Sequence, residues 1–239
     1  MKIPSLSVWH QKLLLALLLA PPAVQAQGYM SMAPTMFSTQ LSFSAVTAGI
    51  GNDAASTKSS KTAGRTSLSY TPTPDLKQKT VQGYVDRLKT KNPAASQAVA
   101  TNFGPGKYDY GTIYQGLIKG YNLRDNDAVD AMTAYMVLGW MIVNNVQNDQ
   151  AVTAAMVQGV RAQLAPRLSQ SPQLTTPGAA AQLGEEMKLQ FVVVQGGWRS
   201  AIKENALPAY RQGIAALLKN QYGLDMAALA LNDAGFAKK

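Results

Sequence analysis

Three acidic residues, Asp125, Asp127 and Asp130, lie close together at the start of the most apolar stretch of the sequence. Carboxylates in such a cluster can bind calcium, but this stretch has neither the length nor the glycine of the known calcium-binding loops. Acidic side chains are also favoured in the first turn of a helix, where the helix dipole places partial positive charge. We therefore predict that these residues cap a helix and that they form no metal site.

The other acidic residues of chemical interest are Glu185, Glu186 and Glu204. Adjacent residues point about 100° apart on a helix, so Glu185 and Glu186 are poorly placed to work as a catalytic pair. Glu186 or Glu204 alone could act as a general acid in an enzyme that cleaves glycan. A lone buried carboxylate in a cleft would favour such an enzyme, whereas exposure of all three on a helix flank would favour a binding protein.

Two reactive side-chain types are almost missing from the chain. It has one histidine, His10, and no cysteine. Without residues 1–26 the chain would have neither histidine nor cysteine. It could then form no Ser-His-Asp triad, no cysteine nucleophile, and no ordinary zinc, haem or iron–sulfur site. Ser200 and Lys203 match the S-x-x-K pattern of penicillin-recognising enzymes, but the companion S-D-N and K-T-G patterns are absent from the sequence. We predict no catalytic residues, no cofactor and no metal.

Residues 1–26 have the anatomy of a cleavable export signal. A positively charged start precedes the apolar residues 13–20, and small residues then favour cleavage after Ala26. The apolar run is far shorter than the roughly 20 residues that span a bilayer. We predict a mature chain that begins at Gln27, has no transmembrane segment or lipid anchor, and is periplasmic or secreted.

The chain is basic, with a formal charge of +9. Removal of Lys2 and Lys12 with the signal lowers this to +7. A local excess of basic residues lies in the first predicted helix, at Lys77, Lys79, Arg87, Lys89 and Lys91. These residues predict either a solvated helix face or a surface that attracts an anionic envelope component or an acidic protein partner. No nucleic-acid recognition motif is present, so a nucleic-acid partner is not expected.

The predicted elements divide the chain into a tail and one helical domain. Residues 27–69 are rich in small and polar side chains, which predicts a low-complexity, largely disordered tail. From Tyr70 onward the apolar residues follow helical spacing, and Thr73-Pro74-Asp75 and Asn92-Pro93 are typical helix starts. Helices are predicted at about 74–91, 93–101, 113–120, 127–146, 150–169, 179–205 and 207–222, with a last short one near Asp225.

The fold class that follows is all-α. Residues 70–236 are predicted to form an irregular multi-helix bundle around a central apolar helix at about 127–146, preceded by a flexible tail. Trp140, Trp198 and Tyr135 are interpreted as core residues, with a ligand pocket as the alternative. Tyr-Asn-Leu at 121–123 and Tyr-Gly-Leu at 222–224 are interpreted as two similar helix caps.

Several short motifs give the chain a family resemblance. They are Tyr70-Thr-Pro-Thr-Pro74, Tyr84-Val85, Tyr121-Asn-Leu123, Asp127-Ala-Val-Asp130, Tyr222-Gly-Leu-Asp225 and Asp233-Ala-Gly-Phe236. With these motifs, residues 70–236 resemble a family of uncharacterised exported bacterial proteins known only as a domain of unknown function. The resemblance implies an all-helical domain behind a signal peptide and a variable tail, and it implies no activity.

Two functions from different classes are consistent with these features. The favoured one is an exported, non-enzymatic helical protein that binds a partner in the bacterial envelope. The alternative is a hydrolase that acts on cell-wall glycan with carboxylates alone.

Overall fold

The computed structural model describes residues 47–51 and 68–239 of the chain. These residues contain seven α-helices, numbered here in chain order. They are α1 (Pro74–Lys91), α2 (Pro93–Phe103), α3 (Tyr110–Leu117), α4 (Ala128–Val143), α5 (Ala154–Ser169), α6 (Ala179–Lys203) and α7 (Leu207–Tyr222). A short antiparallel hairpin follows, with strands β1 (Leu229–Asn232) and β2 (Gly235–Lys238). The predicted all-α, multi-helix fold is confirmed.

The helix starts and ends are set by the capping residues that the sequence displays. The Thr73 hydroxyl accepts a hydrogen bond from the backbone N–H of Leu76 at 3.1 Å, and Pro74 occupies the first helical position of α1. Asn92 ends α1, and its side chain also caps α2. The left-handed Gly223 ends α7 with a φ of 67°. These contacts satisfy backbone groups that a helix end would otherwise leave unpaired.

Helix α4 is the centre of the fold, and it packs against α5, α6 and α7. Fifteen of its 16 residues are buried. The predicted central helix is therefore confirmed, although it ends at Val143 rather than near residue 146. Trp140 is the half-buried exception, and its indole N–H donates to the backbone oxygen of Leu229 at 2.8 Å. Trp140 thus attaches the hairpin to the central helix.

The hairpin replaces the short helix that the sequence predicted near Asp225. A single 3-10 turn, Met226–Ala228, is followed directly by β1. Gly235 has a φ of 99°, and its backbone lies so close to α5 that a Cβ on Gly159 would stand 2.3 Å from its nitrogen. The Gln163 side-chain amide bonds both the N–H and the C=O of Phe236, each at 2.9 Å. The hairpin therefore depends on contacts with α5, which local sequence signals do not encode.

Part of the predicted tail packs against the helical domain. In residues 47–51, Ile50 is buried and the Gly51 carbonyl accepts a hydrogen bond from the Lys238 N–H at 3.1 Å. Leu68 and Ser69 pair with the chain just before α4. The domain thus includes residues before 70. The predicted export signal and the other residues of the tail lie outside the described residues.

Within residues 47–51 and 68–239, no helix combines the length and the apolar character that crossing a membrane requires.

Candidate functional site

Asp127, just before α4, and Asp130, in its first turn, form ion pairs with arginines, whereas Asp125 accepts a hydrogen bond from the Gln115 amide at 3.3 Å. Asp127 is the N-cap of α4 and accepts hydrogen bonds from the backbone N–H groups of Val129 and Asp130, so its predicted capping role is confirmed. The Arg124 guanidinium contacts Asp127 at 2.6 Å and Asp130 at 3.1 Å, and Arg161 of α5 pairs with Asp130. Because these carboxylates are fully buried and paired with arginines, they tie α4 to α5. The described residues contain no group of three or more side chains placed to hold a metal ion.

Glu185 lies inside the domain within a set of complementary partners. Its carboxylate accepts hydrogen bonds from the hydroxyls of Tyr70 at 2.8 Å and Tyr110 at 2.6 Å, and it pairs with the ammonium of Lys188. The Lys188 nitrogen also lies 5.6 Å from the centroid of the Tyr70 ring. Burial, and then the nearby Glu185 charge, raise the pKa of both tyrosines far above the ordinary value, so both remain hydrogen-bond donors. We call Glu185, Lys188, Tyr70 and Tyr110 the Glu185 cluster.

Glu186 is also buried, but its surroundings leave polar atoms unsatisfied. Its Oε2 atom has no hydrogen-bond partner among the described residues, and neither does either end of the Gln190 amide, one turn further along α6. Arg87 of α1 approaches from the other side, and its Nη2 atom is also buried without a partner there. Burial raises the pKa of Glu186 to about 7, against the opposing charge of Arg87. We call Glu186, Gln190 and Arg87 the Glu186 cluster.

The three glutamates do not lie together on an exposed helix flank, which was the arrangement expected of a binding protein. Glu185 and Glu186 are buried. Glu204 is half-buried and accepts a hydrogen bond from the Ser200 hydroxyl at 2.7 Å. None of the three glutamates lines the cavity described below.

A cavity of about 90 Å³ opens between α3, α4, the start of α5 and α6. Its walls are mainly aliphatic and aromatic. They include Leu117, Ile118, Leu123, Ala134, Val137, Leu138, Met141, Val152, Val157 and Phe191. The polar groups of the lining come from Tyr121, Asp149, Gln195, Trp198 and Arg199. Such a combination of apolar walls with a few polar groups is typical of ligand sites. We call it the α3–α6 cavity.

Two polar atoms of residues that line the α3–α6 cavity lack partners. The Trp198 indole N–H and the Gln195 side-chain oxygen are buried without a hydrogen-bond partner among the described residues. Arg199 and Asp149 are partly exposed and lie 3.7 Å apart, a distance at which an exposed ion pair contributes little. The lining therefore combines apolar walls with a lightly paired cation and anion, and an unpaired donor and acceptor are buried within two of its side chains.

The three aromatic residues singled out from the sequence have different positions. Trp198 lines the cavity, whereas Trp140 holds the hairpin and Tyr135 packs against Tyr222 of α7, with ring centroids 6.0 Å apart. Sequence reasoning missed Gln195 and Arg199. Their only signal was spacing, since Phe191, Gln195 and Arg199 recur every four residues and share one helix face.

The basic face predicted on α1 is partly neutralised. Lys77 pairs with Asp109 at 2.8 Å, and Lys79 pairs with Asp75 at 2.9 Å. Arg87 faces the buried Glu186 rather than solvent alone.

Comparisons with protein-family models, with curated proteins and with solved structures gave no match for this chain. The family resemblance of residues 70–236 accordingly stays a prediction.

Proposed function

We propose that this protein is exported, is not an enzyme, and acts by binding a partner in the bacterial envelope through the α3–α6 cavity. The observation that carries the proposal is the lining of that cavity, in which ten apolar side chains surround a space of about 90 Å³. Binding is favourable when an apolar group enters a cavity of this kind and displaces water from it.

The arrangement of the carboxylates also supports binding over glycan hydrolysis. Glu185 is held by two tyrosine hydroxyls and a lysine, which leaves it poorly available for proton transfer to a substrate. Glu186 has the raised pKa expected of a general acid, but it is 2% exposed and does not line the cavity. A general acid must come within hydrogen-bond distance of the substrate, so Glu186 gives little support to the hydrolase alternative.

A photo-crosslinking experiment in the native host tests this proposal. A photoreactive phenylalanine analogue is placed at Leu117, which lines the cavity and is half-buried, and separately at Ile113. Ile113 is the matched control, because it lies one turn earlier on α3, is also half-buried, and does not line the cavity. We expect a covalent adduct in the envelope fraction from position 117 and little from position 113. No adduct, or equal adducts at both positions, would contradict the proposal.

A further inference from the structure

The polar atoms of the α3–α6 cavity indicate more about its partner than the apolar walls do. Trp198 is 2% exposed, yet its indole N–H donates to no described residue. The side-chain oxygen of Gln195 is likewise buried and accepts from none. An unpaired buried polar atom lowers the stability of a fold. A ligand that supplies both missing partners should therefore bind more favourably than a purely apolar ligand.

The donor and the acceptor are neighbours on one helix. Gln195 and Trp198 are three residues apart on α6, a spacing that places side chains side by side. Phe191 precedes Gln195 by one turn, and Arg199 follows it by one turn, so all four residues line the same wall. The donor and the acceptor therefore belong to neighbouring side chains of one wall, although neither atom is itself exposed to the cavity.

The size of the cavity limits the apolar group that it can hold. About 90 Å³ is less than the roughly 150 Å³ of a cavity known to bind benzene. An aliphatic group of a few carbons therefore suits the space better than an aromatic ring.

We propose that the α3–α6 cavity binds one aliphatic side chain of an extended peptide segment of a partner protein, with the peptide groups beside that side chain paired to Trp198 and Gln195. A peptide group carries one N–H donor and one C=O acceptor, which match the Gln195 oxygen and the Trp198 N–H. A fatty acid carboxylate offers only acceptors, so it would leave the Gln195 oxygen unpaired. This inference rests on the proposed function and specifies the chemical class of the partner.

Formation of these bonds requires a small movement of the cavity wall. Both atoms are buried beneath the lining, so the peptide has to displace side chains before it reaches them. Changes of side-chain rotamer at an interface are common on binding, even where the backbone moves little. Gln195 is half-buried, which leaves room for such a change of rotamer.

The test follows the indole N–H resonances of residues 27–239 by nuclear magnetic resonance. This chain has two tryptophans, Trp140 and Trp198, whose signals are assigned with W140F and W198F. The probes are N-acetyl-leucine methylamide, N-acetyl-glycine methylamide and hexanoate. We expect the leucine derivative to shift the Trp198 signal in a saturable way and to bind more tightly than the other two. The Trp140 signal is an internal control, because its N–H already bonds Leu229.

Two variants separate the contributions of the hydrogen bonds and the cavity. W198F keeps an aromatic ring but removes the N–H, and we expect it to bind the leucine derivative on the order of tenfold more weakly. Binding by this variant is followed through the methyl resonances of Val137 and Leu138. Q195L tests the acceptor in the same way, and W140F should bind like the wild type. Circular dichroism establishes that each variant is folded, and Q195L alone decides the test if W198F does not fold.

Three results would overturn the inference. The Trp198 signal would be unmoved at saturating leucine derivative, hexanoate would bind as tightly, or Q195L would bind the leucine derivative unchanged. The proposed function is judged separately by the crosslink at position 117. A lipid or glycan adduct at that position would be consistent with the proposed function and would contradict the proposal that the cavity binds a peptide.

Discussion

The Glu185 cluster and the Glu186 cluster are built around adjacent residues of α6, and both are buried, yet they differ in how their charges are matched. Glu185 has two tyrosine hydroxyls and one ammonium group as partners. Glu186 has an unpaired oxygen and lies near an amide whose two ends are also unpaired among the described residues. The difference follows from direction, because side chains about 100° apart on a helix face different neighbours.

Burial alone does not decide how well the surroundings of a carboxyl group match it. The Glu185 cluster brings an ammonium group and two hydroxyl donors to the carboxylate. In the Glu186 cluster burial dominates, and the pKa of Glu186 rises to about 7. The first cluster is expected to stabilise the fold through matched interactions, and the second is expected to lower its stability when Glu186 is ionised.

The largest expected effect is that of Lys188→Met, which removes the cation from the Glu185 cluster. Breaking a buried ion pair from one side typically costs about 3–5 kcal/mol, because the remaining buried group loses its partner of opposite charge. Urea unfolding at pH 7 measures the change in the free energy of unfolding. Lys203→Met is the matched control, since Lys203 is exposed on the same helix. A loss for Lys188→Met no larger than that of the control would remove the distinction between the clusters.

The second prediction concerns pH. The pKa of Glu186 is about 7 in the folded protein and 4.5 for the unperturbed group. Between these values the folded state keeps the proton while the unfolded state releases it, so Glu186 makes stability fall as pH rises from about 4.5 to 7. Glu186→Gln cannot ionise, so it should weaken this fall by about 2–3 kcal/mol between pH 5 and 8, at 1.36 kcal/mol per pKa unit.

The measurement for Glu186→Gln is urea unfolding at pH 5 and pH 8, beside the wild type. Glu204→Gln provides the control, because Glu204 is half-buried near the end of the same helix and already accepts a hydrogen bond from Ser200. We expect Glu186→Gln to be more stable than the wild type at pH 8, by more than at pH 5. If the stability of Glu186→Gln depended on pH as that of the wild type does, Glu186 would not be the source of the fall in stability.

The smallest expected effect comes from two tyrosines one turn apart on α3. Tyr110→Phe removes a hydroxyl that bonds Glu185 at 2.6 Å, and it should cost about 1.5 kcal/mol, as for hydrogen bonds to charged groups. Tyr114→Phe removes a buried hydroxyl without a hydrogen-bond partner in the described part of the chain, and its effect should be neutral or slightly stabilising. Thermal unfolding of both variants checks the pair. Equal losses of stability in the two variants would mean that the hydrogen bond from Tyr110 to Glu185 adds no stability of its own.

The helices could be predicted from the sequence because their boundaries are set locally. Thr73, Asn92 and Asp127 each act through backbone groups two or three residues away, so the signal and its effect lie in the same short segment. The apolar composition of α4 similarly indicated a central helix. Local capping and apolar periodicity were thus sufficient for the architecture.

The hairpin and the candidate site could not be predicted because they depend on distant partners. Gly235 adopts its conformation against Gly159, which lies 76 positions earlier in the sequence. Gln195 can be recognised as a candidate site residue only once α3 and α4 are seen to line the same cavity. Glu186 was singled out as a candidate acid, but its environment is set by α1 and neighbouring side chains of α6. Spacing along one helix does not reveal which element will cover it.

The pairing of Gly51 with Lys238 has a consequence for the order of folding. The two residues are 187 positions apart in the sequence, yet the Lys238 N–H donates to the Gly51 carbonyl at 3.1 Å. Closing so long a loop is entropically costly, so contacts of this kind tend to form after local ones. Residues 47–51 would then attach to a domain that is already assembled. They would also detach before it unfolds, and amide hydrogen exchange at Lys238 would be faster than in the core of α4.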